Sequence, residues 1–239
     1  MSPKKRLDPR LVSLTAAGSF AAEQYQGLRL TLERLGNGRG GAQALAVTSP
    51  AAGDGKTVTA INLAGTLARG SEARVLLVDA DLRRPAVGSQ LRMDASARGL
   101  TDVLTDDRTT LDDVTTLLEQ FNLSVIPAGT GHGAVHQMLR SARFERLLKE
   151  ARERYDFIVL DTPPLLPVYD SALLAKFLDG VLMVVSANRT PRKLLGEALN
   201  LLDAGKVLGI VFNKDGRPLF GYYDSYYREY FPTASVSEA

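Results

Sequence analysis

At 239 residues with 45% hydrophobic content, the chain can fill a substantial core, which excludes a disordered or fibrous protein. Its 29 Lys+Arg against 27 Asp+Glu leave a net charge of only +2, so the strong positive field of a dedicated nucleic-acid binder is missing and no nucleic-acid partner is expected. Zero cysteines exclude disulfides, thiolate nucleophiles, iron–sulfur centres and cysteine-type zinc sites, and the two histidines, His132 and His136, speak against a metalloenzyme and are given no role.

The chain opens with Met-Ser-Pro-Lys-Lys-Arg-Leu-Asp-Pro-Arg, and no apolar run long enough for a signal sequence or a bilayer span follows. A cytoplasmic protein is expected. Residues 1–19 read as a flexible basic arm, whose Lys4, Lys5, Arg6 and Arg10 can touch anionic lipid but are too few for stable anchoring. From Phe20 to Leu35 the spacing of Leu28, Leu32 and Leu35 predicts an amphipathic helix closed by Gly36, and a glycine-rich link to Gly41 follows. Short apolar runs then recur at residues 44–48, 73–79, 123–127, 157–161, 180–186 and 207–213. They are flush apolar rather than alternating, as strands covered on both faces are, and helix-length stretches at 56–69, 141–154 and 191–203 lie between them. The expected fold is α/β, a mainly parallel sheet flanked by helices, over residues 20–215. Residues 216–239 lose the periodicity and form a flexible tail holding five of the eight tyrosines, Tyr222, Tyr223, Tyr226, Tyr227 and Tyr230.

The strongest motif follows the first strand: Thr48-Ser-Pro-Ala-Ala-Gly-Asp-Gly-Lys-Thr57, running into a helix. A phosphate cradle needs small residues so that successive backbone N–H groups turn inward, with a helix N-terminus behind them. Ala52, Gly53, Asp54, Gly55, Lys56, Thr57 and Val58 supply that loop, with Lys56 placed for the β- and γ-phosphates and the Thr57 hydroxyl for Mg²⁺. Pro50 stands where the pattern asks for its first glycine. A second motif, Asp79-Ala-Asp81-Leu-Arg-Arg-Pro, leaves the carboxyl end of a strand, the edge where ligands sit in open α/β sheets. Residues i and i+2 of an extended chain point the same way, so both carboxylates are expected to converge on one metal-phosphate centre. A third strand ends in Asp161-Thr-Pro-Pro, where the acid can hold Mg²⁺ through water. Asn213, ending the last strand, can offer its amide to an adenine edge, although asparagine is also an ordinary turn residue.

These motifs, in this order and with the tyrosine cluster behind them, resemble the bacterial tyrosine autokinases (BY-kinases) that regulate capsule and exopolysaccharide export. The resemblance runs from about Ala21 to Phe231 and implies a P-loop fold related to partitioning-type ATPases, turned to ATP-dependent phosphorylation of tyrosine. It makes Lys56, Asp79, Asp81 and Asp161 the catalytic set, Thr57, Asp81 and Asp161 the Mg²⁺ ligands, and Asp79 the acceptor of the tyrosine proton. It makes the five tail tyrosines phosphoacceptors, used in trans by another copy. It also implies a membrane activator; none is on this chain, so a separate protein of the polysaccharide export system is expected, holding the kinase at the inner membrane face.

One departure concerns assembly. The family's early helix carries Glu-x-x-Arg-x-x-Arg for packing subunits into a ring; here Glu23 and Arg29 match, but Gln26 replaces the middle arginine, and a weak oligomer is expected. Two other readings compete with this one. A partitioning-type ATPase switch would carry a second lysine where Ala51 stands, and would lack a tyrosine-rich end. A catalytically slow nucleotide-binding adaptor of a polysaccharide export machine has the five phosphate and metal residues against it.

Overall fold

The computed structural model describes residues 6–36, 42–70, 73–131 and 133–215. A seven-stranded sheet is built from β1 (Gln43–Thr48), β2 (Val75–Asp79), β3 (Thr116–Leu118), β4 (Leu123–Ile126), β5 (Phe157–Asp161), β6 (Gly180–Ser186) and β7 (Val207–Asn213). Its α-helices are α1 (Val12–Thr15), α2 (Phe20–Gly36), α3 (Lys56–Gly70), α4 (Val87–Gln90), α5 (Leu100–Thr105), α6 (Leu111–Val114), α7 (Val135–Leu139), α8 (Ala142–Arg154), α9 (Asp170–Leu174) and α10 (Arg192–Leu199).

The strand order is β3-β4-β2-β5-β1-β6-β7, parallel throughout except for β3 against β4. The six strands expected from apolar runs are present. β3 escapes the sequence reading because three residues, Thr-Leu-Leu, are too short to show a period and sit at an edge, where Leu117 stays exposed. Flush apolar strands arise because both faces are covered. Along β1, Ala44 and Ala46 join one core with Phe144, Leu147 and Leu148 of α8, while Leu45 and Val47 join the other with Ile61, Leu63 and Leu67 of α3.

The free basic arm expected over residues 1–19 does not extend that far. Leu11 and Leu14 are buried against α3, and Asn62 ties the segment down by accepting from Ser13 N–H at 2.9 Å and donating to Arg10 C=O at 2.9 Å. A charge pattern marks a solvated segment, but two leucines at i and i+3 on one short turn suffice to dock it.

The register of β5 decides the site. β5 lies between β2 and β1, with Asp79 opposite Asp161 on one side and Val47 opposite Asp161 on the other. The three strand ends that carry the motifs therefore open on a single edge, with neighbouring strands about 4.8 Å apart.

Candidate active site

The loop from β1 into α3 turns on two glycines in the left-handed region, Gly53 (φ 91°) and Gly55 (φ 98°). A Cβ on Gly55 would lie 2.0 Å from Asn213 Nδ2, so glycine is required there by both conformation and space. Pro50 is not among the residues with positive φ, which is why the pattern's first glycine can be replaced. Asp54, buried at 5% exposure, holds the loop from behind: its Oδ1 accepts from Thr190 Oγ1 at 2.6 Å and from Ser186 N–H at 3.3 Å. Asn213 Nδ2 donates to Asp54 C=O at 2.9 Å, so the end of β7 clamps the same loop. Thr190 carried no signal in the sequence; a hydroxyl after a strand is an ordinary turn residue until the fold brings it 136 positions back to Asp54.

Lys56 opens α3 and reaches two acids. Its Nζ lies 2.7 Å from Asp81 Oδ2 and 3.5 Å from Asp161 Oδ1, while Thr57 Oγ1 donates to Asp161 Oδ2 at 2.6 Å. Burial works against the ammonium, but the charges of Asp161 and Asp81 outweigh it and hold the Lys56 pKa above the usual lysine value. Asp161 is fully buried, and burial, opposed by Lys56 and Thr57, pushes its pKa up to about 6.

Asp79 behaves differently from the expectation that it would converge with Asp81. Its Oδ2 accepts from Ala86 N–H at 3.0 Å and Val87 N–H at 2.9 Å, and its Oδ1 is buried with no hydrogen-bond partner. β2 ends at Asp79, so Asp81 is no longer on an extended chain and the two-residue alternation does not carry over to it. Burial, reinforced by the charge of Asp161 across the strand pair, pushes Asp79 up to about 7. Lys56 thus meets two acids directly and feels the charge of a third, Asp79, while Oδ1 of both Asp79 and Asp161 lacks a hydrogen bond.

That donor set fits a divalent cation shared with phosphate. No three acidic or histidine side chains are gathered as a protein-only metal site among the described residues. A magnesium ion suits such a place, since it takes one or two carboxylates and leaves its other positions to water and phosphate oxygens.

Above these groups opens a cleft of about 1400 Å³, lined by the loop residues Ala52, Gly53, Gly55, Lys56, Thr57 and Val58 together with Asp81 and Asn213. The loops after β2 and β5, one face of α2 and the outer end of β7 complete it. Arg83, from the loop after β2, is fixed by Asp170 at the start of α9: Nε donates to Oδ2 at 2.6 Å and Nη2 to Oδ1 at 3.3 Å. Asp170 is buried and its other neighbour is His136, 3.9 Å away. No sequence signal singled out Asp170, which reads as an ordinary helix-start acid.

On α2, Glu23 is exposed, while Arg29 is mostly buried, its Nε 3.7 Å from Glu33 and its Nε and Nη1 without hydrogen bonds. Tyr222, Tyr223, Tyr226, Tyr227, Tyr230 and His132 lie outside the described residues.

A family model described as an AAA domain matches residues 42–200. Tyrosine-protein kinase YwqD of Bacillus subtilis (strain 168) is 31% identical over 225 residues, covering 91% of this chain and 92% of that protein. The succinoglycan biosynthesis transport protein ExoP of Rhizobium meliloti (strain 1021) is 31% identical over 94% of this chain, which spans only 28% of ExoP. Among solved structures, the kinase domain of Escherichia coli tyrosine kinase ETK superposes with a TM-score of 0.81 at 25% identity, over 91% of this chain and 84% of that one.

Proposed function

The chain belongs to the bacterial tyrosine-kinase (BY-kinase) family and is a protein-tyrosine kinase of P-loop type; from that premise we propose that it transfers the γ-phosphoryl group of ATP to Tyr222, Tyr223, Tyr226, Tyr227 and Tyr230 of another copy. The observation that carries this reading is Lys56 at the floor of the cleft, bound to Asp81 and Asp161 while Thr57 holds Asp161.

Each residue then has a task. Backbone N–H groups from Ala52 to Val58 supply donors to the phosphates, and the Lys56 ammonium exchanges Asp81 for β- and γ-phosphate oxygens. Thr57, Asp81 and Asp161 would hold Mg²⁺, which when bound would supply the charge that neutralises those oxygens. Asp79 takes the phenol proton on Oδ1 as the tyrosine oxygen bonds to Pγ and the bond from Pγ to the bridging oxygen breaks, releasing ADP. Its backbone-anchored Oδ2 keeps the group in place, and a pKa near 7 makes it a better base than an ordinary aspartate. The Asn213 amide has one hydrogen beyond its bond to Asp54 C=O, and this meets the adenine edge.

The likeness to ExoP, a succinoglycan biosynthesis transport protein, supports a place in exopolysaccharide synthesis or export. No helix among the described residues is long and apolar enough to cross a membrane. We assign membrane contact to a separate activator protein, with the kinase peripheral at the inner face. Mixing an active chain that lacks residues 216–239 with a Lys56→Met chain, adding ATP and Mg²⁺ and mapping phosphotyrosine by mass spectrometry is the test. Label on the Lys56→Met chain within Tyr222 to Tyr230 supports transfer in trans; label confined to other tyrosines overturns the tail as acceptor.

A further inference from the structure

On the phosphate side of the cleft, the rim is basic. Arg10, Arg83 and Arg84 all line it, beside Gln90 and above Lys56. Two of these arginines are already engaged, Arg10 with Asp8 and Arg83 with Asp170. Arg84 is exposed, its backbone N–H is bound to Asp81, and its guanidinium has no hydrogen-bond or ion-pair partner among the described residues. Arg84 thus stands three positions from an acid that touches Lys56, exposed on the lining of the same cleft.

The cleft is also larger than one ligand needs. Its volume of about 1400 Å³ exceeds the roughly 300–1,000 Å³ that suits a single small molecule, which leaves room for a peptide beside a nucleotide.

We propose that Arg84, seconded by Arg83 and Arg10, selects acceptor tyrosines that have an acidic or already phosphorylated residue beside them. This rests on the tail being the acceptor. The segment Tyr222-Tyr-Asp-Ser-Tyr-Tyr-Arg-Glu-Tyr230 suits such a rim, since every tyrosine in it has an acid or another tyrosine within two positions. A phosphate placed on one tyrosine adds about −1.5 to −2 charges and three acceptor oxygens next to the following acceptor. A guanidinium fork binds that group bidentately. The first transfer therefore makes its neighbours better substrates, and the cluster is modified as a run.

The test measures binding, so it does not depend on turnover. Two fluorescent peptides covering Phe220 to Phe231, one unmodified and one phosphorylated at Tyr223, are titrated by anisotropy against the full chain loaded with ADP and Mg²⁺. The phosphopeptide is expected to bind the wild-type chain about tenfold more tightly. Arg84→Ala should reduce that ratio to about twofold or less, and Arg84→Glu should invert it. Arg69→Ala, at the far end of α3 and about 20 Å along the helix from Lys56, should leave it at tenfold. An equal ratio in the wild-type and both Arg84 variants, an equal loss in Arg69→Ala, or no binding of either peptide overturns the assignment. Phosphotyrosine mapping decides the tail-acceptor reading separately.

Discussion

Replacing Asp79 with asparagine should stabilise the protein and disable it. In the folded chain Oδ2 is bound by two backbone N–H groups, and an amide oxygen can accept both as the carbonyl oxygen of a protonated carboxyl does. Oδ1 is buried without a partner, so the carboxylate's second oxygen carries charge into an apolar, acidic surrounding. Burial first, and Asp161 second, raise the Asp79 pKa from an ordinary 3.8 to about 7. A raised folded-state pKa means that the folded chain holds its proton longer than the unfolded one. The contribution to stability is fully present below 3.8 and is lost as the pH rises through about 7. At about 1.4 kcal/mol per unit of pH, ionising Asp79 costs the wild-type fold about 4 kcal/mol at pH 8 and roughly 1 to 2 kcal/mol at pH 5. Asparagine never ionises, so Asp79→Asn should melt on the order of 10 °C higher at pH 8, a few degrees higher at pH 5, and level with wild type below pH 3.8. Thermal denaturation followed by circular dichroism, in EDTA so that no divalent cation compensates the charge, reads this directly. Tyrosine phosphorylation by the same variant should fall by about a hundredfold or more through loss of the base. A melting gain that is the same at pH 5 and pH 8, or a loss at pH 8, would show that the Asp79 carboxylate is satisfied when ionised and refute the reasoning.

Lys56→Met should cut phosphorylation by roughly a hundredfold, since a buried phosphate loses its cation. It should also lower stability by about 3 kcal/mol at neutral pH, because Asp81 and Asp161 stay buried without their partner. Without the ammonium that holds it down, Asp161 takes up its proton above its wild-type value of about 6, so that loss should shrink as the pH falls towards 6; denaturant melts at pH 5 and pH 8 check it. Gly55→Ala puts a methyl 2.0 Å from Asn213 Nδ2 at a φ of 98°, so ATP affinity measured by calorimetry should drop by at least about tenfold. At micromolar concentration the unphosphorylated chain should scatter light as a monomer or weak oligomer, and Gln26→Arg should shift it upward by restoring a charged fork. A stable ring of wild-type subunits without any partner would show that the arginine is dispensable.

Much of this site is local in the chain and was open to reading before any fold was known. The loop from Ala52 to Val58 is contiguous, its glycines and lysine are tied to each other by covalent spacing, and the helix behind it follows at once. The flush apolar strands announce a sheet covered on both faces, because burial on two sides leaves no polar position in the period. The order of those strands is another matter. Nothing in residues 157–161 says that β5 enters between β2 and β1, yet that insertion sets Asp161 against Asp79 and within reach of Lys56. The same holds for Asp54 with Thr190, Arg83 with Asp170, and the docking of Leu11 and Leu14 on α3. Even the orientation of Asp79 depended on where β2 stops and α4 begins. Motifs were legible because backbone geometry couples near neighbours; the charge balance around Lys56 was decided only by tertiary packing, which alone chooses the distant residues that share a buried, low-dielectric space.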